Sequence, residues 1–387
     1  MPERITNIRV VLPHAVVEND LLIGKDGTIE AMLPPESPTS PDTVRIDGGG
    51  CFAFPGMIDL LAHGFGHFQY ADAEAEAISG NSAALPRHGV TAFVPSVISK
   101  SEDELGPLLE QLSGLNQGEG ARCLGIHSEG PCLAAPGAHK PDNLSAPSRE
   151  LAENILAAAN GALKIVTLAP ELPGADEFMA VLKAAGVALH LGHSRAHPDR
   201  VSEFVDAGIS AVTHMFDVMV PAEIEDSGLY PVSLADALLA EPRLCLGVIC
   251  DGVHVSPIQF NLLIQLPSDR VFLETDSMKF TGLPPGRFEF DEGMWVTTTN
   301  DRGARMDDDA LAGSTLTCDR ALRNFVEITG GDLPRASMAA SLNPARLAGL
   351  GEQLGSLEAG KAGDFVLLDD DLTVQATYVA GRKVWAA

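Results

Sequence analysis

Short apolar runs alternate with helical stretches through the middle of the chain. The runs lie at residues 57–62, 91–95, 124–126, 164–168, 187–191, 211–213, 245–249 and 271–275. Each is too short for a helix, and the rhythm of strand followed by helix is typical of parallel sheets and barrels. Because there are eight such units, the pattern predicts a (β/α)8 barrel.

The segments between the runs have helical spacing and recognisable end signals. The predicted helices cover residues 71–85, 102–115, 149–159, 176–185, 199–207 and 234–240, followed by 315–329 and 333–347. Several are preceded by Ser, Pro or Asp, which favour helix starts. Gly186 and Gly208 stand where a helix needs a C-terminal cap.

Both ends of the chain show a different pattern, with short strand-like runs separated by turn residues. The runs cover residues 5–12, 21–23, 28–32 and 44–46 at the start, and 365–369 and 377–385 at the end. We therefore expect one small flanking β-sandwich domain, built from residues 1–53 and 350–387. Residues 54–349 are expected to form the catalytic barrel.

Charge and composition exclude several classes of partner. The 387 residues include 26 Lys or Arg and 53 Asp or Glu, giving a net charge of −27. That charge repels nucleic acid and anionic membranes. The six cysteines lack CxxC spacing, and no apolar stretch reaches the roughly 18 residues of a membrane span. We expect a cytoplasmic protein without a nucleic-acid or membrane partner.

Polar residues collect where the apolar runs stop. They are His63, His127, Glu129, His193, His214, Asp251, His254 and Asp276. In a barrel the carboxyl ends of all strands lie on one face, where barrel enzymes have their active sites. These side chains should therefore converge, although they are spread over more than 200 positions.

Imidazole and carboxylate groups are typical ligands of a divalent metal. A catalytic site has three protein ligands and one open position, and Glu129, His193 and His214 fit that count. A metal lowers the pKa of its water from 15.7 to about 7, and Asp276 is then a candidate for moving protons. Each residue alone also fits a structural role, so only the joint pattern at successive strand ends favours a metal site.

Sequence motifs extend this picture over nearly the whole chain. In order they are PGMID (55–59), GIHSEGP (125–131), GAHKP (137–141), TLAPE (167–171), GHS (192–194), THMF (213–216), DGVH (251–254), TDSM (275–278), GLP (282–284), LAGSTLT (311–317), NPAR (343–346), GSLEAGKAGDFVLLD (355–369) and VQATYVAG (374–381). Together they resemble the N-acetylglucosamine-6-phosphate deacetylases of the amidohydrolase superfamily. The resemblance implies a metal-dependent (β/α)8 (TIM) barrel with a small β domain from both termini, as the apolar pattern does.

The resemblance also implies residue roles and a reaction, the hydrolysis of the acetamido group of a small N-acetyl amino sugar. Glu129, His193 and His214 match metal ligands, and Asp276 and His139 match catalytic residues. The implied substrate contacts are Ala138, His139, Asp217, Val218, Asp251, His254, Leu311, Ala312 and Gly313, with Arg195 and Lys279 as further candidates. The metal would be Zn²⁺, with Fe²⁺, Mn²⁺, Co²⁺ and Ni²⁺ as alternatives. A homodimer is implied as well.

The first departure from the family pattern lies at the first barrel strand. Many members have two histidines one residue apart there, whereas this chain has Leu61 and His63. Leucine cannot bind a metal. We therefore expect one metal per chain, with His63 as a weak additional ligand, a solvent-bonded residue or a bystander.

The second departure concerns the substrate. After THxF the family usually continues with Asn and an Arg-containing loop that reaches the sugar phosphate, but here Asp217 follows, and residues 201–242 contain no Lys or Arg. Glu223, Glu225 and Asp226 add negative charge, which repels a phosphate dianion. Either the substrate lacks the phosphate or is cationic, or Arg195, Lys140 or Lys279 supplies the charge instead.

Two other functions remain open at this stage. One is a different amidohydrolase reaction, such as removal of another acyl group or opening of a cyclic amide, because a fold fixes metal chemistry better than substrate. The other is a non-catalytic binding protein, since Leu61 shows that the metal site has changed. The full set of Glu129, His193, His214 and Asp276 argues against it.

Overall fold

The computed structural model describes residues 1–115, 118–219, 228–291, 293–299 and 303–387. The strands in these ranges are β1 (Glu3–Thr6), β2 (Arg9–Leu12), β3 (Ala15–Val17), β4 (Asp20–Ile23), β5 (Ile29–Leu33), β6 (Val44–Asp47), β7 (Phe52–Pro55), β8 (Met57–Ala62), β9 (Gly64–Phe65), β10 (Phe68–Gln69), β11 (Val90–Val97), β12 (Arg122–Cys123), β13 (Ile126–Glu129), β14 (Leu163–Leu168), β15 (Ala188–Leu191), β16 (Ile209–Val212), β17 (Cys245–Ile249), β18 (Val271–Glu274), β19 (Arg287–Asp291), β20 (Met294–Thr299), β21 (Gly303–Met306), β22 (Phe365–Leu368), β23 (Val374–Val379) and β24 (Arg382–Ala386).

The helices in the same ranges are α1 (Ala77–Ala84), α2 (Glu102–Ser113), α3 (Arg149–Ala159), α4 (Ala175–Ala184), α5 (Val201–Ala207), α6 (Leu234–Ala240), α7 (Pro257–Leu263), α8 (Cys318–Ile328), α9 (Leu333–Ser337) and α10 (Asn343–Leu347). Short 3-10 turns lie at Tyr70–Asp72, Leu85–His88, Pro141–Asn143, Pro198–Arg200 and Ser268–Arg270, and one π-helical turn (Met338–Leu342) joins α9 to α10. No helix within the described ranges combines the length and hydropathy needed to cross a membrane.

The eight predicted apolar runs are the eight strands of a parallel barrel, so the predicted fold class is confirmed. The order is β8, β11, β13, β14, β15, β16, β17, β18, and a bridge between Ala62 and Ser277 joins the last strand back to the first. The third strand starts at the end of its predicted run, because Gly125 has a φ of 137° and separates β13 from the short β12. The carboxyl ends of these strands therefore share one face, as the site requires.

The helices pack around the barrel through one apolar face each, and α3 shows why. Ser148 caps its first turn by accepting a hydrogen bond from the Leu151 amide at 3.0 Å. Leu151 and Ile155 share one buried face at helical spacing, which packs between α2 and α4. Asn160 ends the helix in the left-handed conformation.

The flanking β domain contains two sheets packed over a shared apolar core. One sheet has the order β5-β4-β1-β6 and the other β24-β23-β22-β7-β2-β3, so both termini contribute. The predicted single strand at 5–12 is wrong: β1 and β2 lie in different sheets because Asn7, with a φ of 56°, turns the chain between them. Because β7 pairs with β2 and β22, the flanking sheet extends to Pro55. The domain limits at residues 53 and 350 stay a prediction.

A separate antiparallel sheet of β19, β20 and β21 follows the last barrel strand, in a region where no strand or helix was predicted. We call it the cavity sheet. Phe290, Val296 and Ala304 on its inner face pack on Met278 and Ala312 from the adjoining loops. It thereby forms a wall beside the carboxyl ends of the barrel strands.

Candidate active site

The predicted site residues leave the barrel at the ends of its strands. Glu129 is the last residue of β13, whereas His193, His214 and Asp276 each lie two residues beyond β15, β16 and β18. The last three have φ values of 51°, 34° and 50°, a region that side chains other than glycine seldom adopt. Such strained residues cluster at functional sites, because the surrounding structure must hold them in place.

Glu129 is the centre of the cluster, and four histidines surround its two oxygens. Oε1 lies 2.9 Å from His214 Nε2 and 3.1 Å from His193 Nε2. Oε2 lies 3.0 Å from His63 Nε2 and 3.4 Å from His139 Nε2. Burial opposes the charge on this carboxylate, but its interactions with the four histidines outweigh this effect and hold the pKa of Glu129 well below its usual value.

The donor atoms of Glu129, His193 and His214 fit a divalent cation. The Ala135 carbonyl accepts a hydrogen bond from His193 Nδ1 at 2.9 Å, so Nε2 of this imidazole presents its lone pair to the site. The His214 Nε2 atom lies 3.2 Å from the His193 Nε2 atom. Two imidazole nitrogens and a carboxylate oxygen converging in this way form an ordinary metal-binding set.

His139 has the opposite tautomer. Its Nδ1 accepts a hydrogen bond from the Ser99 backbone amide at 3.0 Å, so in the neutral ring Nε2 carries the proton. Burial lowers the pKa of His139, which favours the neutral form. Although Glu129, His139 and His193 lie within metal-binding distance of one another, this tautomer makes His139 a hydrogen-bond donor in preference to a ligand.

His63 joins the cluster, although the sequence assigned it no definite role. Its Nδ1 donates to the Ser96 carbonyl at 3.1 Å, and its Nε2 lies 3.2 Å from Asp276 Oδ1 as well as close to Glu129. Burial lowers the pKa of His63, but the hydrogen bonds that its ring donates to the Asp276 and Glu129 carboxylates outweigh this effect and raise the pKa to about 10. His63, Glu129 and Asp276 thus form a second group with metal-binding spacing, next to the fully buried Leu61.

Asp276 is held by its main chain between the first strand and the loop before α8. Its amide donates to the Leu61 carbonyl at 2.8 Å, and its own carbonyl accepts from the Ser314 amide at 2.7 Å. The Cβ that any other residue would add at Gly313 would lie 2.9 Å from the same carbonyl. The backbone around this carboxylate is therefore fixed on both sides.

A cavity of about 370 Å³ opens onto these groups. Its described lining consists of His63, Ile98, Glu129, Gly137, Ala138, His139, His193, His214, Asp217, Val218, Asp276, Met278, Phe290, Arg305, Asp309, Ala310, Leu311 and Gly313. Six predicted substrate contacts are among them, namely Ala138, His139, Asp217, Val218, Leu311 and Gly313. Arg305 also lines the cavity, but it was not predicted from the sequence, because it lies on a strand of the unpredicted cavity sheet.

Other predicted contacts lie outside this lining. Ala312 is fully buried beneath the cavity sheet. Asp251 Oδ2 accepts a hydrogen bond from His254 Nδ1 at 2.8 Å. Burial lowers the pKa of His254, but this bond and the negative charges nearby together raise it above its usual value. His254 Nε2 is buried without a hydrogen-bond partner among the described residues. The charge of Asp217, a residue of the cavity lining, also contributes to the raised pKa of His254.

The three cations proposed for a phosphate group all lie away from the cavity lining. The Arg195 side chain donates to the Ala134 carbonyl at 3.1 Å. Lys140 is 3.2 Å from Asp291, and Lys279 is 3.3 Å from Asp72. Of the acidic loop, Glu223, Glu225 and Asp226 fall outside the described residues.

His127 has a structural role beneath the site. It donates from Nδ1 to the Leu60 carbonyl at 2.8 Å, and its Nε2 is 2.8 Å from the Thr167 hydroxyl. Burial lowers the pKa of His127 to about 4, so this ring is neutral. Asp59 also lies below the site, where it accepts hydrogen bonds from the Thr275 hydroxyl at 2.6 Å and the Leu61 amide at 3.3 Å.

Comparison with known proteins gives one consistent result. Residues 52–384 match the Amidohydrolase family. The chain is 32% identical to the N-acetylglucosamine-6-phosphate deacetylase of Bos taurus, over 98% of this chain and 95% of that one, and 32% identical to the N-acetylgalactosamine-6-phosphate deacetylase of Escherichia coli O157:H7, over 92% of each. A mutant of the Mycobacterium smegmatis N-acetyl-D-glucosamine-6-phosphate deacetylase, solved with N-acetyl-D-glucosamine-6-phosphate, superposes with a TM-score of 0.87 at 29% identity and 99% coverage of both chains.

Proposed function

The chain belongs to the amidohydrolase family, and from that premise we propose that it hydrolyses the acetamido group of an N-acetyl amino sugar. The observation that carries this proposal is the convergence of Glu129, His193 and His214 within 3.2 Å of one another. Asp276 and His139 lie beside them in a cavity large enough for a sugar. The curated relatives named above are deacetylases of amino sugar phosphates.

Glu129, His193 and His214 would hold one divalent ion, with Zn²⁺ as the first candidate and Fe²⁺, Mn²⁺, Co²⁺ or Ni²⁺ as alternatives. When bound, such an ion polarises a carbonyl and lowers the pKa of water. The convergence of two imidazole nitrogens on one carboxylate oxygen supports this assignment. His63 adds a nitrogen on the other oxygen of Glu129, so its role as an additional ligand stays a prediction.

Asp276 acts as the general base and then the general acid. It takes a proton from the attacking water as the new C–O bond forms at the amide carbon. It returns that proton to the nitrogen as the C–N bond breaks, which releases the amine and acetate. His63 Nε2, 3.2 Å from Asp276 Oδ1, orients the carboxylate during both transfers.

His139 stabilises the negative charge that develops on the carbonyl oxygen. Because the Ser99 amide occupies Nδ1, the proton of the neutral ring is on Nε2, the atom that faces the cluster. A preorganised donor of this kind stabilises the transition state more than the ground state. Removing one such donor typically costs about 10²- to 10³-fold in kcat.

A substrate screen with metal analysis on the same preparation tests the proposal. Purified protein is assayed for acetate release from N-acetylglucosamine and its 6-phosphate, and for cleavage of N-formyl sugars, N-acetyl amino acids and cyclic amides. We expect acetate release from an N-acetyl amino sugar and one tightly bound metal equivalent per chain. Cleavage of cyclic amides alone would contradict the assigned substrate, and a metal-free, inactive protein would contradict the assigned reaction. Two tight equivalents would contradict the single-metal prediction.

Homodimer formation and a cytoplasmic location are further parts of the proposal. The homodimer follows from the family resemblance, and exposed Leu229, Tyr230 and Val232 next to the cavity-lining loop after β16 are compatible with it. Sedimentation of the purified protein measures the oligomeric state directly.

A further inference from the structure

Glu274 is a buried carboxyl in the barrel that has no part in the mechanism above. It is the last residue of β18, is 2% exposed, and follows the apolar residues Val271, Phe272 and Leu273. A buried carboxyl costs free energy relative to an apolar side chain unless it has a hydrogen-bond partner. The position of that partner therefore indicates what Glu274 contributes.

The partner of Glu274 is the main chain of a proposed metal ligand. Glu274 Oε1 accepts a hydrogen bond from the His214 backbone amide at 2.5 Å. The next amide, that of Met215, donates to the Gly247 carbonyl at 2.7 Å. His214 has a φ of 34°, a region that residues with a side chain seldom adopt. The two hydrogen bonds hold successive amides at this strained turn, and so they fix the direction in which the His214 imidazole leaves the strand end.

Gly247 makes the contact between Glu274 and His214 possible. It lies on β17, the strand between β16 and β18. A Cβ at this position would lie 2.2 Å from Glu274 Oε1, closer than two nonbonded atoms can approach. Any other residue at this position would therefore push the carboxyl away from the His214 amide. The glycine and the glutamate, on neighbouring strands, are matched to bring one oxygen to this amide.

His214 and Glu274 each have a further buried polar atom. Among the described residues, neither His214 Nδ1 nor Glu274 Oε2 has a hydrogen-bond partner. The Nδ1 atom of His193, by contrast, donates to the Ala135 carbonyl at 2.9 Å. Histidines that bind a metal through one nitrogen usually donate the other N–H to a carboxylate, a carbonyl or a water, which orients the ring. The unpaired acceptor therefore belongs to the residue that already contacts His214.

We propose that Glu274 is a positioning residue of the metal centre. It holds the main chain of His214 through Oε1, and it orients the His214 imidazole through Oε2, directly or by way of one buried water. This inference rests on the proposed metal site of Glu129, His193 and His214, and it assigns a role to a residue outside that ligand set. Glu274 acts on the metal through His214, and it touches neither the metal nor the substrate.

A chelator titration of the metal-loaded enzyme tests the proposal. The zinc-loaded protein is titrated with a chelator of known zinc affinity, and the zinc left on the protein gives the dissociation constant without an activity assay. The variants are Glu274→Gln, which keeps an acceptor oxygen, and Glu274→Met, which has a similar length and only a weak acceptor. The matched control is Leu273→Ala, which truncates the preceding residue of β18 in the core around the barrel. Thermal unfolding of each variant checks the fold.

We expect Glu274→Met to raise the dissociation constant for zinc about 10- to 100-fold, the usual effect of losing an outer partner of a ligand, and Glu274→Gln to stay within about threefold of the wild type. Leu273→Ala should lower the unfolding temperature and leave the dissociation constant within about threefold, because it creates a cavity away from His214. If Glu274→Met does not fold, Gly247→Ala replaces it, since the added methyl group displaces the carboxyl from His214.

Three results would overturn the role of Glu274 and leave the metal site and the deacetylase function standing. They are wild-type zinc affinity in Glu274→Met or in Gly247→Ala, an equal loss of affinity in Glu274→Gln and Glu274→Met, and an equal loss in Leu273→Ala. A wild-type protein that binds no zinc would instead overturn the metal assignment on which both proposals rest.

Discussion

The two walls of the cavity are built by different means. On the barrel side, Glu129, His193, His214 and Asp276 are at most 7% exposed, and the backbone conformation of the last three is held by neighbouring strands. On the side of the cavity sheet, residues 307–310 are exposed, and the described residues after β21 are held by the Met306–Ala310 hydrogen bond and the bridge between Arg305 and Leu311.

This difference separates the chemistry from the recognition. A metal and a proton carrier need positions fixed within a fraction of an ångström, and buried strand ends provide that rigidity. Sugar substituents vary among substrates, and an added sheet can present new side chains without disturbing the barrel. The barrel wall therefore carries the residues proposed for the reaction, and the cavity sheet adds Phe290 and Arg305 to the lining of the cavity.

The largest expected effect comes from exchanging one carboxylate on each wall. Asp276→Asn should lower kcat by about 10²- to 10⁴-fold, because the general base and acid is lost while the metal ligands remain. Asp309→Asn, the same change on the cavity sheet, should lower kcat by less than about tenfold. Acetate release and elemental analysis check both. If Asp276→Asn retained more than a tenth of the wild-type rate, Asp276 would not be the general base and acid.

The next effect concerns how the free energy of unfolding depends on pH through Asp59, a buried residue below the site. Burial raises the pKa of Asp59 from its usual 3.8 to about 6, and the hydrogen bonds from Thr275 oppose this rise only in part. Between about pH 4 and 6 the folded state thus binds more protons than the unfolded state, so Asp59 makes stability fall as pH rises through this window, by about 3 kcal/mol in total.

Asp59→Asn should remove that component and flatten the profile. Urea unfolding of both proteins at pH 4, 5, 6 and 7 measures it, with Asp309→Asn as the exposed control. Parallel pH profiles for wild type and Asp59→Asn would show that Asp59 ionises normally in the folded state. In that case the Asp59 carboxyl, which links β8 to Thr275 just after β18, would not be protonated below pH 6 in the folded protein.

The smallest expected change in activity comes from replacing Asp217, the cavity-lining residue in the loop after β16. Asp217→Asn removes one negative charge near the substrate but keeps an oxygen that accepts hydroxyl hydrogen bonds. We expect kcat/KM for the phosphorylated sugar to rise about fivefold, on the scale of 1 kcal/mol for a solvated charge pair, with the neutral sugar unchanged. Added salt screens charges, so the gain in kcat/KM of Asp217→Asn over the wild type should become smaller as the salt concentration rises. A fall for the charged sugar would instead point to a direct role of the carboxylate.

The barrel could be predicted from the sequence, because each of its strands has its own local apolar run and most of its helices have their own spacing and caps. Helix α7 was not predicted, and the predicted helix at 333–347 is divided by the π-helical turn. The break at Asn7 was missed because the short apolar runs on either side of it do not report which sheet each half joins. The cavity sheet was missed as well. Its strands lack a continuous apolar run, and they are stabilised by packing on Met278 and Ala312 from the adjoining loops.

The sequence by itself determined the barrel, the convergence of Glu129, His193, His214 and Asp276, and the family. These follow from local patterning and from the rule that parallel strand ends share a face. Only the tertiary structure decided the tautomer of His139, the place of His63 between two carboxylates, and the approach of Arg305 to the cavity. Each of these depends on a hydrogen bond or packing contact between distant segments, whose geometry exists only once the chain has folded.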